Sequence, residues 1–261
     1  GSEGVGAATA RLFAEAGANL VLVARNKKNL EAIAEELRDK SRVVIFPMDV
    51  TDTDACVDVF KKAAFEFGHV DILVNNAAFH ERGPVRDVEA QDLGRIIDVN
   101  LKAPIILTRL ALPYLEEAGG GVVINVASLH GRLPSPGSTT YSASKFGLRI
   151  FSLALHEELR DSDIKVAVIS PGAIDTGFIM NNLDSVDDIV FSQPMSTPEQ
   201  VAQGILDLCG NNVREQAMPV SSGILTTVAY VFPWISRVIK PMLERKGARV
   251  KARIRAERRS S

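Results

Sequence analysis

The sequence predicts an α/β fold with a doubly wound parallel sheet flanked by helices, and three observations support this fold class. Apolar, β-branched runs of strand length recur through the first two thirds of the chain. Amphipathic stretches of helical length lie between them, and such alternation produces parallel strands with right-handed crossovers. The length of 261 residues, 46% hydrophobic and 24% charged, fits one globular domain with a short appendage.

The order of the elements follows from these runs. Buried strands are predicted at residues 19–24, 42–47, 71–76, 121–128 and 165–170. Helices are predicted at residues 7–16, 29–40, 53–67, 88–117, 141–160 and 197–209. Because no linker interrupts the body, we expect one domain over residues 1–222 and a separate tail over residues 223–261.

Charge is distributed unevenly along the chain. The 30 basic and 32 acidic residues give a net charge of −2, but residues 237–261 alone carry +8 and leave −10 on the rest. The overall balance gives no reason to expect a nucleic-acid partner. Cys56 and Cys209 lie far apart without metal-binding spacing, so we expect no metal site, no disulfide and a reducing, cytoplasmic location.

The tail predicts a basic amphipathic helix. Apolar residues recur at helical spacing from Ile235 to Leu243, Trp234 lies at their edge, and Pro241 favours two helical pieces over one. An interfacial helix on the inner face of an anionic membrane is one interpretation. A helix docked on the body or on a dimer partner is equally open. The apolar run of residues 224–235 is short for a membrane-spanning helix.

The first residues have the composition of a phosphate-binding turn. Ser2, Gly4, Val5 and Gly6 lead directly into a helical run, where glycines allow a close backbone approach and the helix start offers N–H groups to a phosphate. Arg25 ends the next strand, 19 residues after Gly6, and its guanidinium suits a 2′-phosphate. This favours NADP over NAD, although solvated charges at a helix start are the alternative.

Two other strand ends carry residues suited to a nucleotide. Asp49 and Val50 follow one strand, where an acid can meet an adenine amino group. Asn76 and Ala77 follow the next, where small side chains let a flat ring lie across the strand ends. An Asn-Asn-Ala turn by itself is more often only a capped turn.

The most specific pattern is Tyr141-Ser-Ala-Ser-Lys145. Residues four apart share a helix face, and a nearby ammonium favours the phenolate, which suits a general acid or base. Ser128 lies thirteen residues upstream and Asn100 in Asp-Val-Asn-Leu. In this composition Tyr-xxx-Lys with that serine is expected by chance only roughly 0.01 times.

Together these motifs resemble the short-chain dehydrogenase/reductase family over residues 1 to about 222, which implies a Rossmann-like fold. By this resemblance Tyr141 exchanges a proton with the substrate oxygen while a hydride moves to or from the nicotinamide. Ser128 holds that oxygen, Lys145 binds the nicotinamide ribose and lowers the tyrosine pKa, and Asn100 holds a water in the proton relay. The resemblance also assigns the carboxamide and phosphates to Pro171, Gly172, Ile174 and Thr176.

The chain departs from the family pattern at two places. Ala78 stands where the family has glycine, a change that we expect to be tolerated. When aligned on Gly4 and Gly6, the sequence starts inside the Gly-rich loop, so we expect the first, central strand to be absent from the sheet.

These expectations define an NADP-dependent carbonyl reductase or alcohol dehydrogenase that acts as a homodimer or homotetramer. His80, Glu81, His130 and Leu133 are expected near the substrate, and residues 177–195 form either an apolar, mobile lid or ordinary helix packing. A bulky apolar alcohol or ketone is the expected substrate. The alternative is a catalytically silent NADP-binding scaffold or redox sensor. An epimerase or dehydratase is disfavoured because no separate sugar-binding domain follows.

Overall fold

A computed structural model describes residues 1–177 and 186–260, apart from the side chains of Ser236 and residues 257–260. The strands are β1 Leu20–Ala24, β2 Val43–Pro47, β3 Ile72–Asn75, β4 Gly121–Val126, β5 Ile164–Pro171 and β6 Glu215–Met218. The helices are α1 Gly4–Glu15, α2 Lys27–Leu37, α3 Thr53–Phe67, α4 Ala90–Ile97, α5 Ala103–Glu117, α6 Thr139–Glu158, α7 Pro198–Gly210, α8 Val220–Val231 and α9 Pro233–Ser260.

All strand pairs are parallel, and helices cover both faces of the sheets, which confirms the predicted α/β class. β1 pairs with β2, and the remaining strands form a second sheet in the order β3-β4-β5-β6. Within residues 1–177 and 186–260, no strand bridges β1 and β3. One hydrophobic cluster nevertheless joins the two sheets, because Leu22 of β1 and Ile124 of β4 belong to the same core under α1 and α7.

The strand β6 was not predicted from the sequence. Its residues, Glu215 to Met218, are half-buried and include no β-branched side chain, so they carry little strand signal. The strand is held by its register with β5, in which Val168 pairs with Glu215. Glu215 also accepts hydrogen bonds from Arg132 and Arg149, which ties β6 to the loop before α6 and to the middle of that helix.

The helix predicted over residues 88–117 is present as one helical stretch from Ala90 to Glu117, but it is not α-helical throughout. The structure has α4 and α5 joined by a π-helical turn, Asp98–Lys102, in which Val99 and Asn100 are buried. A π-turn contains one more residue than an α-turn, and apolar periodicity over a long window does not register one extra residue.

The prediction of two tail pieces at Pro241 is wrong, because α9 runs through this proline as one helix. A proline removes one hydrogen bond, here to the carbonyl of Arg237. Both residues are exposed, so water can satisfy that carbonyl. The break between helices falls instead at Phe232 and Pro233.

The second half of α9 docks on the body of the protein. Lys251 is buried, donates a hydrogen bond of 2.6 Å to the carbonyl of Val186 and forms an ion pair of 3.1 Å with Asp188. Val250 and Ile254 pack against Phe191 and Val186. The docked-helix alternative therefore describes this half, whereas the first half of α9 exposes its apolar side chains.

The predicted lid, residues 177–195, is described only in part. Residues 178–185 lie outside the described residues, and the rest includes the 3-10 turn Asp188–Ser192, which packs against α9. Among the helices described, none combines the length and the apolar character that crossing a membrane requires.

Candidate active site

The carboxyl ends of the strands bring the predicted cofactor residues together. A Cβ atom built at Gly4 would lie 3.3 Å from Cγ2 of Thr176, so the turn before α1 meets the segment after β5. A Cβ at Gly6 would lie 3.1 Å from Nδ2 of Asn76, which follows β3. Only small residues fit at this convergence of three segments, which is the crevice where such sheets bind ligands.

The start of α1 fits a phosphate group. Gly4 has φ of +50°, a conformation that favours glycine, and it opens the helix. Among the described residues no side chain caps this helix start, and the Glu3 carboxylate accepts a hydrogen bond from Asn29 of α2. The N–H groups of the first turn and the positive end of the helix dipole are therefore suited to an anion.

Arg25 and Asp49 lie at the ends of β1 and β2, where the adenosine end of a dinucleotide would bind. Arg25 is exposed and close enough to Asp49 to influence its charge. Burial raises the pKa of Asp49, but hydrogen bonds from Thr51 and the charges of Arg25 and Arg95 outweigh burial, so the pKa lies below its ordinary value. Asp49 is therefore an anion with a cation beside it at neutral pH.

The remaining predicted cofactor residues lie on the same edge. Ser2 lies just before α1, and Val5 lies in the first turn of that helix. Ala77 follows Asn76, and Pro171 ends β5. The carboxyl-end segment continues through Gly172 and Ile174, and Ile174 forms a bridge with Ser196. Val50 differs, because its side chain packs against the hydrophobic cluster around Cys56 and Val59.

Tyr141 and Ser128 form the centre of the site. Tyr141 is buried near the start of α6, and its hydroxyl lies close enough to Ser128, which follows β4, for the two side chains to interact. Burial raises the pKa of Tyr141 and outweighs the lowering effects of the Ser128 side chain and the Arg82 charge. The phenol is therefore protonated at neutral pH in this arrangement, which suits a proton donor.

Lys145 lies one turn along α6, as predicted, but its ammonium is directed at the main chain. Its Nζ donates a hydrogen bond of 2.8 Å to the carbonyl of Val126 and lies 5.9 Å from the centre of the Tyr141 ring. Burial lowers the pKa of Lys145 to about 8. The pKa of Tyr141 is raised here, in contrast to the lowering by Lys145 that the resemblance implied, because burial dominates.

Asn100 is fixed by the π-helical turn that carries it. Its Nδ2 donates to the carbonyl of Phe79 at 2.8 Å and to Oγ of Ser144 at 3.2 Å, and its Oδ1 accepts from the N–H of Phe79 at 2.7 Å. The asparagine thus anchors the loop after β3 to α6. This loop carries His80, so Asn100 positions one wall of the site.

Two histidines flank the Tyr141 ring. The His80 ring stacks on it with centroids 4.0 Å apart and planes 14° from parallel, while His130 contacts it edge-on at 5.9 Å and 82°. Burial is the main cause that lowers the pKa of His80 to about 3 and that of His130 to about 4. Both rings are therefore neutral at physiological pH. Two of the residues expected near the substrate thus lie next to Tyr141.

Sequence reasoning missed Arg82 and Ser144. Arg82 lies near enough to Tyr141 and Asp187 for their charges to interact, and burial lowers its pKa. Its loop position beside Gly83 and Pro84 gave no periodic signal. Ser144 could have been found, because it lies three residues after Tyr141 on the same side of α6.

The fold and this site define a class: a parallel α/β sheet with a glycine-containing turn at its ligand crevice and a Ser–Tyr–Lys cluster is typical of nucleotide-dependent oxidoreductases. A family model described as short chain dehydrogenase matches residues 1–186. The chain therefore belongs to the short-chain dehydrogenase/reductase family, whose members are oxidoreductases.

Individual relatives agree with this assignment. Dehydrogenase/reductase SDR family member 7B of Rattus norvegicus is 32% identical over 226 residues, which are 82% of this chain and 70% of the relative. A 3-oxoacyl-(acyl-carrier-protein) reductase of Thermotoga maritima is 30% identical over 232 residues, 86% of this chain and 94% of the relative.

Two solved structures have the same fold. A Sinorhizobium meliloti chain assigned as a short-chain alcohol dehydrogenase is 28% identical, with a TM-score of 0.76 over 85% of this chain and 92% of that chain. A metagenomic short-chain oxidoreductase in complex with NADP is 29% identical, with a TM-score of 0.70 over 83% of this chain and 92% of that chain.

Proposed function

We propose that the protein transfers a hydride between NADP(H) and a carbonyl or secondary alcohol, with Tyr141 as the general acid or base. The observation that carries this proposal is the proximity of Ser128 to the buried Tyr141 hydroxyl, with Lys145 one helical turn away and its Nζ 5.9 Å from the centre of the Tyr141 ring. A protonated phenol next to a serine hydroxyl can donate to the oxygen of a carbonyl while the serine holds that oxygen.

Each residue has a separate part in the reductive direction. NADPH, when bound, would supply the hydride. Ser128 orients the carbonyl oxygen, and the Tyr141 hydroxyl gives it the proton as the alcohol forms. Lys145 would bind the nicotinamide ribose and stabilise the phenolate that remains, and Asn100, which holds the wall of the site, would also hold a relay water. In the oxidative direction Tyr141 accepts the proton.

The preference for NADP over NAD is proposed from Arg25. Its guanidinium at the end of β1 can bind a 2′-phosphate, whereas a free 2′-hydroxyl would be better served by an acid. The NADP-bound structural relative supports the same preference. Gly4, Gly6, Asp49 and Asn76 would hold the rest of the cofactor, with the other predicted residues of the crevice: Ser2, Val5, Val50, Ala77, Pro171, Gly172, Ile174 and Thr176.

A titration tests the cofactor site first. NADPH should bind more tightly than NADH, and Arg25→Ala should remove the difference while leaving NADH binding unchanged. Arg160→Ala, at an exposed arginine of similar size, is the matched control. Equal affinity for both cofactors in the unmodified chain would contradict the preference, and binding of neither would contradict the proposed site.

A second experiment tests the chemistry. Tyr141→Phe removes only the reacting hydroxyl, so turnover should be lost while NADPH binding persists. Tyr114→Phe is the control, because that tyrosine stacks on Phe60 away from the site. Undiminished turnover in Tyr141→Phe would rule out its role as the proton donor.

The second candidate function is a cofactor-binding scaffold or redox sensor without turnover. It is favoured by the Lys145 ammonium, which is directed at the Val126 carbonyl, and by the raised pKa of Tyr141. NADPH binding without oxidation across a broad panel of ketones and aldehydes would support this candidate against the first.

The substrate and the assembly are also proposed. A lipophilic carbonyl compound is supported by the Thermotoga relative, which is named for a ketone on an acyl chain. We expect the protein to act in the cytoplasm as a homodimer or homotetramer. Residues 1–222 would form the catalytic domain, and residues 223–261 an appendage that extends over it.

A further inference from the structure

The helix α8 buries its polar side and exposes its apolar side. Ser222, Gly223 and Thr226 face the body and are buried, whereas Val220 and Ile224 are 66% and 62% exposed. Val220 and Ile224 lie one turn apart, so they share an outward stripe. A surface helix in water normally has the reverse arrangement, so this face is built for a partner that is not water.

The first half of α9 continues the exposed apolar surface. Trp234, Val238 and Met242 follow one another at four-residue spacing and are 66%, 72% and 63% exposed. The same face of the helix then becomes basic, because Arg245 and Arg249 continue the row. Val238, Met242 and both arginines line one open groove of about 620 Å³.

The orientation of this row is fixed by the opposite face of α9. Gly247 lies so close to Asp188 that any side chain would overlap its carbonyl oxygen, and Lys251 is held by Val186 and Asp188. The docked face therefore keeps Trp234 and Arg245 directed away from the body.

The charge of the tail identifies the chemistry of the partner. Residues 237–261 carry +8 and the rest of the chain −10. A second copy seated on the same face would place Arg245 and Arg249 against the apolar or basic side chains of the same patch, because a symmetric dimer pairs one patch with itself. An anionic lipid surface instead offers phosphates to the arginines and an acyl boundary to the apolar row.

We propose that the outward faces of α8 and of the first half of α9 bind the surface of an anionic membrane. Trp234, Val238 and Met242 insert at the boundary between headgroups and acyl chains, and Arg245 and Arg249 bind lipid phosphates. The helices lie in the interface. This proposal is independent of the proposed reaction.

Vesicle sedimentation of the full chain tests the electrostatic part. The protein should sediment with vesicles of phosphatidylcholine and phosphatidylglycerol in equal amounts, bind weakly to phosphatidylcholine alone, and be released by salt. Arg245→Gln with Arg249→Gln should weaken binding about thirty-fold, the usual effect of removing two basic residues from an anionic surface. The control is Lys61→Gln with Arg160→Gln, two exposed cations on the body, which should bind like the unmodified chain.

Trp234 reports the apolar part directly, because it is the single tryptophan of the chain. Its emission should shift to shorter wavelength with anionic vesicles, and lipids brominated on the acyl chain should quench it. Failure to bind anionic vesicles would overturn the proposal, as would equal binding by the double arginine variant. Binding without a Trp234 shift would place the contact elsewhere, and a shift that depends on protein concentration without vesicles would identify a second copy as the partner instead.

Discussion

Single buried ionisable groups dominate the chemistry around Tyr141. Burial lowers the pKa values of His80, His130 and Lys145, which favours the neutral form of each side chain. Such shifts are typical of functional sites, and each makes stability depend on pH in a direction that follows from its sign.

His130 should make the protein less stable in acid. Its pKa is about 4 in the fold and about 6.5 in the unfolded chain, so the unfolded state binds more protons as the pH falls below 6.5. The free energy of unfolding should therefore fall by up to roughly 3 kcal/mol between pH 6.5 and pH 4 on account of this residue. His130→Phe should flatten that part of the profile in denaturant titrations.

The phenylalanine also suits the site, because Nδ1 of His130 is buried without a hydrogen-bond partner in the described part of the chain. His69→Phe, at an exposed histidine, is the control for the substitution itself. A profile with the same slope in His130→Phe would contradict the prediction.

Lys145 should cost stability at neutral pH. Its pKa falls from 10.5 to about 8 on folding, so burying the charged form costs on the order of 3 kcal/mol, and stability should rise between pH 8 and pH 10.5 as the unfolded chain retains the proton. Lys145→Met removes this cost but leaves the Val126 carbonyl without its donor, a loss of about 1–3 kcal/mol. The variant should be as stable as the unmodified chain or more so at pH 7, and inactive.

Equilibrium unfolding in urea at pH 7 checks this, with Lys61→Met as the exposed control. A large loss of stability in Lys145→Met, with Lys61→Met unchanged, would show that the lysine is structural.

At the residue scale, the residues of the site could be predicted from the sequence, but their pKa values could not. The spacing of Tyr141 and Lys145 predicted that they share a helix face, because helix geometry is a local property, and Ser128 was predicted from its position at the end of a strand. The raised pKa of Tyr141 could not be predicted, because it depends on burial under loops distant in sequence.

At the scale of elements, the docking of α9 depends on Gly247. A methyl group there would overlap the backbone of Asp188, so Gly247→Ala should detach the second half of the helix and lower the free energy of unfolding by about 1–3 kcal/mol. Gly94→Ala is the matched control, a helical glycine with open space around it, and should gain up to about 1 kcal/mol. Limited proteolysis of α9 checks the detachment, and equal resistance in both variants would contradict it.

An element could be predicted from the sequence where its own residues determine its structure, and not where contacts with distant residues do. Each of the five apolar runs predicted as strands became a strand, because runs rich in Val, Ile and Leu fit a buried parallel sheet. β6 escaped prediction because its stability comes from pairing with β5 and from Arg132 and Arg149, which the local sequence does not show. Pro241 suggested a break because local propensity ignores the docked end that holds α9 together.

At the scale of the whole molecule, the apolar surface outside the tail predicts self-association. The helices α5 and α6 pack against each other and expose Ile105 and Ile150. A second copy covering these residues would remove them from water, so sedimentation should give a dimer or tetramer of the 28.2 kDa chain. Ile105→Glu with Ile150→Glu should yield monomers and Val213→Glu, another exposed site, should not. A monomer in the unmodified chain would contradict the proposed assembly.

The π-helical turn Asp98–Lys102 makes the anchoring of the loop after β3 sensitive to the deletion of a single residue. A π-turn is an α-helix with one residue inserted, so the loss of a single codon would let α4 and α5 merge into one regular helix. The residues on one side of the deletion would rotate by about 100° relative to the other, and the amide of Asn100 would release the main chain of Phe79. We expect deletion of the exposed Lys102 to preserve helical circular dichroism and abolish turnover. A single-residue deletion would thus give a regular helix and remove the hydrogen bonds by which Asn100 anchors this loop.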